Sequence, residues 1–278
     1  MSKVLIAGCG FVGCALGAEL KRLGHEPIGL RRSPGDIGFP LVVADLSKPE
    51  TLRVISDVDA IAFTSAADNF SEAGYRSAYV TALESLLSIF ASRSKPPKRI
   101  VFTSSTSVYA QNDGAWIDER SPAQPKAFSG SIMLEAEGAL HATPIESVTL
   151  RCSGIYGPGR TRLIDQVRTG EAKLAAAESP FTNRIHRDDV ARAVAHLLFL
   201  PNPDSLYVGS DDDPAPRNRV FEWLREQLDA PPLGSSEILG KRGGNKRCRN
   251  ARLKASGFEF KYKSFRDGYS EMLSRSGP

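Results

Sequence analysis

The stretch "KVLIAGCGFVGCALGAELKRLG", residues 3–24, decides the fold. It opens as a short apolar run of the kind that forms a buried strand. It then passes through glycines into residues with helical spacing, which stop at Gly24, a C-cap position. At the junction, "AGCGFVG" (7–13) sets Gly8, Gly10 and Gly13 in GxGxxG spacing. The first glycine makes a tight turn and the second lets backbone approach a pyrophosphate. The third lets helix and strand pack closely, and the helix start at Phe11 and Val12 offers unpaired N–H groups to the anion. The spacing alone is weak; its place between strand and helix gives it weight against a glycine-rich turn of another α/β fold.

Outward from this stretch, strand and helix alternate. "EPIGLRR", "PLVVAD", "VDAIAFTSA", "KRIVFTSS" and "ESVTLRCSG" read as buried strands. "YRSAYVTALESLLSIFASRS" reads as a long helix, and "FSGSIMLEAE" (128–137) opens another. Such alternation implies right-handed crossovers and a parallel sheet covered on both faces. Beyond about residue 155 the pattern loosens, though "DDVARAVAHLLFL" and "RNRVFEWLREQLD" are clear helices. The expectation is an α/β protein: a Rossmann-type doubly wound parallel sheet with a smaller C-terminal substrate lobe. Residues 1–154 would form the dinucleotide-binding domain and 155–278 the lobe, with the helix at 187–200 packing back on the first domain.

A chain of 278 residues, 41% hydrophobic and 24% charged, has the balance of an ordinary globular enzyme. Four scattered cysteines form no CxxC pair, which speaks for a reducing compartment and against a disulfide framework or structural zinc. "IAGC" (6–9) mimics a lipoprotein box, but only eight residues precede Cys9, too few for a charged and an apolar segment. The apolar run around it is short and holds four glycines, unlike a membrane span. A cytoplasmic location is expected, with no membrane partner and no metal. The net charge of +4 is concentrated in "KRGGNKRCRNARLK" (241–254), seven basic residues without an acid. That segment reads as a solvated loop leading into a helix, or else as an anion site. No aromatic interleaves it, so nucleic acid is not an expected partner.

A cofactor preference can be read at the end of the second strand. An NAD site there would carry an acid for the ribose 2′-hydroxyl. This chain has Arg31 and Arg32, which suit the 2′-phosphate of NADP. Asp45 and Leu46, at the end of "VVADL", are placed to meet the adenine, and Ser65, in "VDAIAFTSA", completes the expected cofactor set.

Together the glycine loop, "VVADL", "VFTSSTSVYA", "WIDERSPAQP", "LRCSGIYGPG" and "NRIHRDDVARAV" resemble, in order and over nearly the whole chain, the extended short-chain dehydrogenases/reductases of the epimerase/dehydratase type, in an atypical branch. The resemblance implies a Tyr-x-x-x-Lys pair on the helix after the Pro-containing loop. The tyrosine would be the general acid/base and the lysine the cation that lowers its pKa. It also implies a Ser or Thr at the preceding strand end and an Asn on the long helix. Aligned on Glu137, this chain puts Ser129 at the tyrosine position, Met133 at the lysine position and Tyr79 at the Asn position. A shift by one gives Phe128 and Ile132. Only Ser105 keeps its role. Tyr109, Tyr156 and Tyr79 fall in segments that in the family approach the nicotinamide end or the substrate, and Tyr109 and Tyr156 are carried forward beside Ser105 as catalytic candidates.

Two readings follow. One is an NADP-dependent oxidoreductase or epimerase-like enzyme (NAD being the lesser alternative) acting on a small molecule without the Tyr/Lys pair. The other is a non-catalytic NADP-binding sensor or regulatory protein. A homodimer is left open by the sequence.

Overall fold

The structure is a computed structural model that describes residues 1–237 and 244–275. Lys241 and Arg242 of the basic segment lie outside the described residues. Seven parallel strands form the central sheet: β1 (Lys3–Ala7), β2 (Glu26–Arg31), β3 (Leu41–Val43), β4 (Ala60–Phe63), β5 (Arg99–Ser105), β6 (Glu146–Cys152) and β7 (Leu206–Gly209). Their spatial order is β7-β6-β5-β4-β1-β2-β3. The order reverses between β1 and β4, and in open α/β sheets ligands bind at such a switch point, outside the carboxyl ends of the strands.

Each sheet face is covered because the strands are apolar on both sides. Phe63, Phe102, Ile61 and Leu5 point to one face, under the helices Ala82–Ala91 and Phe128–His141. Val4, Ile6, Val101 and Val148 point to the other, under Phe11–Arg22 and Arg187–Phe199. The helix Arg187–Phe199 packs on Phe11–Arg22.

The first helix ends as its sequence dictates. Gly24 has φ +79°, a left-handed conformation that costs glycine little. Its N–H donates to Lys21 O at 3.0 Å, and His25 N–H donates to Leu20 O at 2.9 Å. This is the paired bonding of a Schellman cap, and it returns the chain directly into β2.

Two features depart from expectation. The long helix begins earlier, at Glu72, where Ser71 accepts from Gly74 N–H at 3.1 Å, and it widens into a π-helical segment at Arg76–Thr81. The last strand, β7, comes from residues 206–209, inside the portion assigned to the smaller lobe, and pairs in parallel with β6. The lobe keeps a separate core, in which Tyr156, Ile164, Val220, Phe265 and Tyr269 gather. Asp189 ties residues 261 and 262 to the helix Arg187–Phe199: its carboxylate accepts from the N–H groups of Lys261 (2.9 Å) and Tyr262 (2.8 Å) and from Arg192 (2.8 Å).

The described part of the basic segment is built into the fold. Arg247 and Cys248 pair in parallel with Trp116 and Ile117. The Arg247 guanidinium lies over the rings of Trp116 and Phe181 at 5.0 and 4.8 Å. The solvated loop expected there is not what forms: Lys246, Cys248 and Asn250 are buried. Among the described residues no helix is long and apolar enough to cross a membrane, and no three His, Cys, Asp or Glu side chains gather as metal ligands.

Candidate functional site

A cleft of about 520 Å³ runs along the carboxyl ends of the strands from β3 to β6. At its centre is the glycine loop. Gly8 has φ +87°, and a Cβ there would lie 2.4 Å from Ser65 backbone, so the loop crosses β4's end with no room for a side chain. Its N–H and that of Cys9 both donate to Leu30 O, at 3.0 and 2.8 Å, which pins the turn to β2. A Cβ on Gly13 would press on Ile6 and Thr64 at 3.0–3.1 Å, the close helix–strand packing expected of the third glycine. Gly10 is different. A Cβ there would meet nothing within 4 Å, because it would point into the open cleft. The residues present therefore fit a dinucleotide: a glycine faces empty space where a diphosphate would approach backbone, beside the first unpaired N–H groups of a helix.

Around this centre lie the expected cofactor residues. Phe11, Val12, Arg31, Arg32, Asp45, Leu46 and Ser65 all line the cleft with Gly8 and Gly10. Arg31 is held by the carbonyls of Ser33 and Pro34, at 2.9 and 3.4 Å. Asp45 accepts from the N–H and hydroxyl of Ser47, at 3.0 and 2.8 Å. Burial opposes its ionisation, but those bonds and the charges of Arg32 and Lys48 hold it below the usual carboxylate range.

Arg32 reveals a residue that the sequence did not single out. Its Nη2 donates to both carboxylate oxygens of Asp68, at 2.7 and 2.8 Å. The pair holds Asp68 below the usual carboxylate range and raises Arg32. Asp68 stands five residues beyond β4, and only the parallel pairing of the sheet brings it to Arg32.

At the other end, Thr103, Ser104, Ser105, Met133, Cys152, Ser153, Tyr79 and Arg160 line the cleft. Ser105 Oγ accepts from Ser107 N–H at 3.1 Å, which fixes the oxygen and leaves its own proton without an acceptor among the described residues. Met133 puts a buried thioether into the cleft wall, and Ser129 is buried outside it. Tyr79, on the π-helical segment, is the one tyrosine lining the cleft. Burial and Tyr75 raise its hydroxyl above the ordinary value, opposed by a bond from Ala67 backbone and by Arg160. The Arg160 guanidinium stacks on Phe11 at 4.0 Å, which brings a cation to the glycine-loop helix.

Tyr109 and Tyr156 are not among the lining residues, for physical reasons. Tyr109 is 2% exposed, and its hydroxyl accepts from Arg151 Nη1 at 2.8 Å. Arg151 in turn forms a buried ion pair with Glu137 at 2.6 Å, and Glu137 accepts from Ser104 Oγ at 2.5 Å. Tyr109 thus completes a buried polar chain. Tyr156 packs against the ring of Tyr269 at 4.7 Å, and its hydroxyl donates to Ser264 O at 3.5 Å in the lobe's core. Burial pushes both phenols up.

His186 accepts from Asp188 N–H through Nδ1 at 3.2 Å and caps Arg187–Phe199. Burial pulls it down to about 4.

Comparison with known proteins places this architecture. The chain is 28% identical to Protein YeeZ of Escherichia coli (strain K12) over 289 aligned positions, covering 94% of this chain and 97% of that protein. A solved structure from Methylobacillus flagellatus, classed with the NAD-dependent epimerase/dehydratases, superposes with TM-score 0.86 at 38% identity, over 100% of this chain and 99% of the other. The human epimerase family protein SDR39U1 (isoform 2), solved with NADPH, shares the fold with TM-score 0.83 at 18% identity, over 98% and 99% of the two chains. Residues 4–209, which run from β1 to the end of β7, match the profile described as the NAD dependent epimerase/dehydratase family, and the chain belongs to that family.

Proposed function

We propose that the cleft binds NADP in preference to NAD, and that the protein is an oxidoreductase or epimerase-like enzyme working without the Tyr/Lys pair. The observation that carries the cofactor reading is the pair Arg31 and Arg32 lining the cleft at the end of β2, where an acid would suit NAD. Fold neighbours are solved with NADPH and with NAD, and the family takes its name from NAD, so the preference rests on the two arginines.

Gly8 and Gly10 with the amides at Phe11 and Val12 would hold the diphosphate, Asp45 and Leu46 the adenosine, and Arg31 and Arg32 the 2′-phosphate. The cofactor, when bound, supplies a hydride donor or acceptor. Ser105 would polarise a substrate oxygen, because its hydroxyl proton is free while its oxygen is fixed from behind by Ser107. Tyr79 remains protonated at neutral pH and could donate a proton at the same end.

A second reading, a non-catalytic NADP-binding sensor, is favoured by one observation. A thioether at Met133 cannot supply the positive charge that lowers a phenol's pKa, and the Ser129 hydroxyl is too weak an acid to replace that phenol. The test is a screen of small carbonyl compounds and sugar nucleotides with NADPH, then substitutions on any hit. Ser105→Ala should lower turnover roughly a hundredfold, the usual cost of one such donor. Ser129→Ala and Met133→Leu should leave it within about threefold. Loss with Ser129→Ala and not with Ser105→Ala would overturn the assignment. Tight NADPH binding with no turnover on any substrate would favour the sensor.

A further inference from the structure

The adenosine end of the cleft has a feature that the NADP reading alone does not account for. Two arginines face it, but so do two carboxylates, Asp45 and Asp68, so its formal charge is zero and not +2. The two acids are not equivalent. Asp45 is committed to its own turn through the N–H and hydroxyl of Ser47. Asp68 spends both of its oxygens on Arg32, at 2.7 and 2.8 Å, and the pair is open to solvent, with 59% and 65% of the two side chains exposed. Arg31 is already turned onto two loop carbonyls. The guanidinium best placed to take a ribose phosphate is thus occupied by a carboxylate of the same chain.

We infer that Asp68 sets the cofactor preference of the cleft by competing with the 2′-phosphate for Arg32. The inference rests on the proposed dinucleotide site. Carboxylate and phosphate oxygens bind the same guanidinium donors, and both cannot hold them at once. An exposed ion pair is worth little in water, so a phosphate can displace Asp68. The displaced carboxylate then stays near the new dianion as a like charge. Both effects lower the affinity for NADPH and leave NADH, which brings no phosphate to this corner, nearly untouched. Asp68 acts in effect as a tethered, weak occupant of the phosphate subsite.

The experiment is a fluorescence titration of NADPH and NADH into the unmutated protein, Asp68→Asn, Arg32→Ala and the double variant, with adenosine 2′,5′-bisphosphate and AMP as probes lacking the nicotinamide. Asp68→Asn should tighten NADPH and adenosine 2′,5′-bisphosphate by about two- to fivefold at low salt, and change NADH and AMP by less than that. The gain should shrink in concentrated salt and vanish in the Arg32→Ala background. The NADPH-to-NADH ratio of the unmutated protein tests the NADP reading, and the change in that ratio on Asp68→Asn tests Asp68. A protein that favours NADH until Asp68 is neutralised would overturn the first and uphold the second. A ratio that Asp68→Asn leaves unchanged, or shifts towards NADH, would overturn the inference by showing that Asp68 holds Arg32 ready for the phosphate.

Discussion

The helix Phe11–Arg22 starts at the centre of the cleft and Phe128–His141 reaches one end of it through Met133, yet they serve it differently. At the first, backbone does the work: two glycines without room for a side chain and a third facing open space. At the second, the packing is as tightly specified. A Cβ on Gly130 would lie 2.5 Å from Ser107 O, and Glu137 is locked between Ser104 and Arg151. The side chain it shows to the cleft, however, is Met133. A helix can therefore be held in place by its buried contacts while the group it presents changes, and its position says little about its chemistry.

The sharpest way to break this comparison is to substitute within the glycine loop. Gly10→Val should lower affinity for either dinucleotide at least a hundredfold with little loss of stability, because a Cβ there meets no protein atom within 4 Å and faces ligand space. Gly8→Ala should destabilise the fold itself, by on the order of 3 kcal/mol, through a left-handed backbone and a Cβ forced onto Ser65. Titration and chemical denaturation of the two variants separate the roles. A Gly10→Val protein that binds normally would mean that the loop cradles no dinucleotide.

A smaller effect sharpens the contrast at the boundary with the lobe. The His186 pKa is lowered by burial from 6.5 to about 4, so the unfolded chain takes up a proton at a higher pH than the folded one. Its contribution to stability is therefore intact above about pH 6.5 and is lost as pH falls from there to about 4, by about 3 kcal/mol in all. His186→Asn keeps an acceptor for Asp188 N–H but cannot titrate. It should be less stable at neutral pH, having lost its ring contact with Tyr262 at 3.9 Å, and should show a flatter loss between pH 6.5 and 4. Urea denaturation across that range checks the slope.

What could be read from sequence follows the same division. Six of the seven sheet strands stand out as apolar runs, and the glycine spacing marks the cleft centre because a turn against a phosphate leaves no alternative to glycine. The strand β7 escapes notice, being four residues between Pro- and Asp-rich stretches. The π-helical segment has no sequence sign, since helical spacing is nearly the same on either side of it. The place of Ser105 on the cleft lining is legible from its strand-end position. That Tyr109 and Tyr156 lie outside the cleft lining is not legible, because proximity along the chain does not show that Arg151 and Tyr269 pack against them. Asp68 is illegible for the opposite reason: it lies 36 residues from Arg32, and only the folded sheet joins them.

The central claim is that the adenosine end recognises a 2′-phosphate through Arg31 and Arg32. It is tested most directly by titrating NADPH and NADH calorimetrically into the unmutated protein and the Arg31→Ala/Arg32→Ala double variant. The unmutated protein should bind NADPH more tightly. The double variant should lose roughly 1–3 kcal/mol of NADPH affinity, the scale of charged hydrogen bonds, and little for NADH. Equal binding of the two cofactors by the unmutated protein, or equal losses for both in the variant, would contradict it.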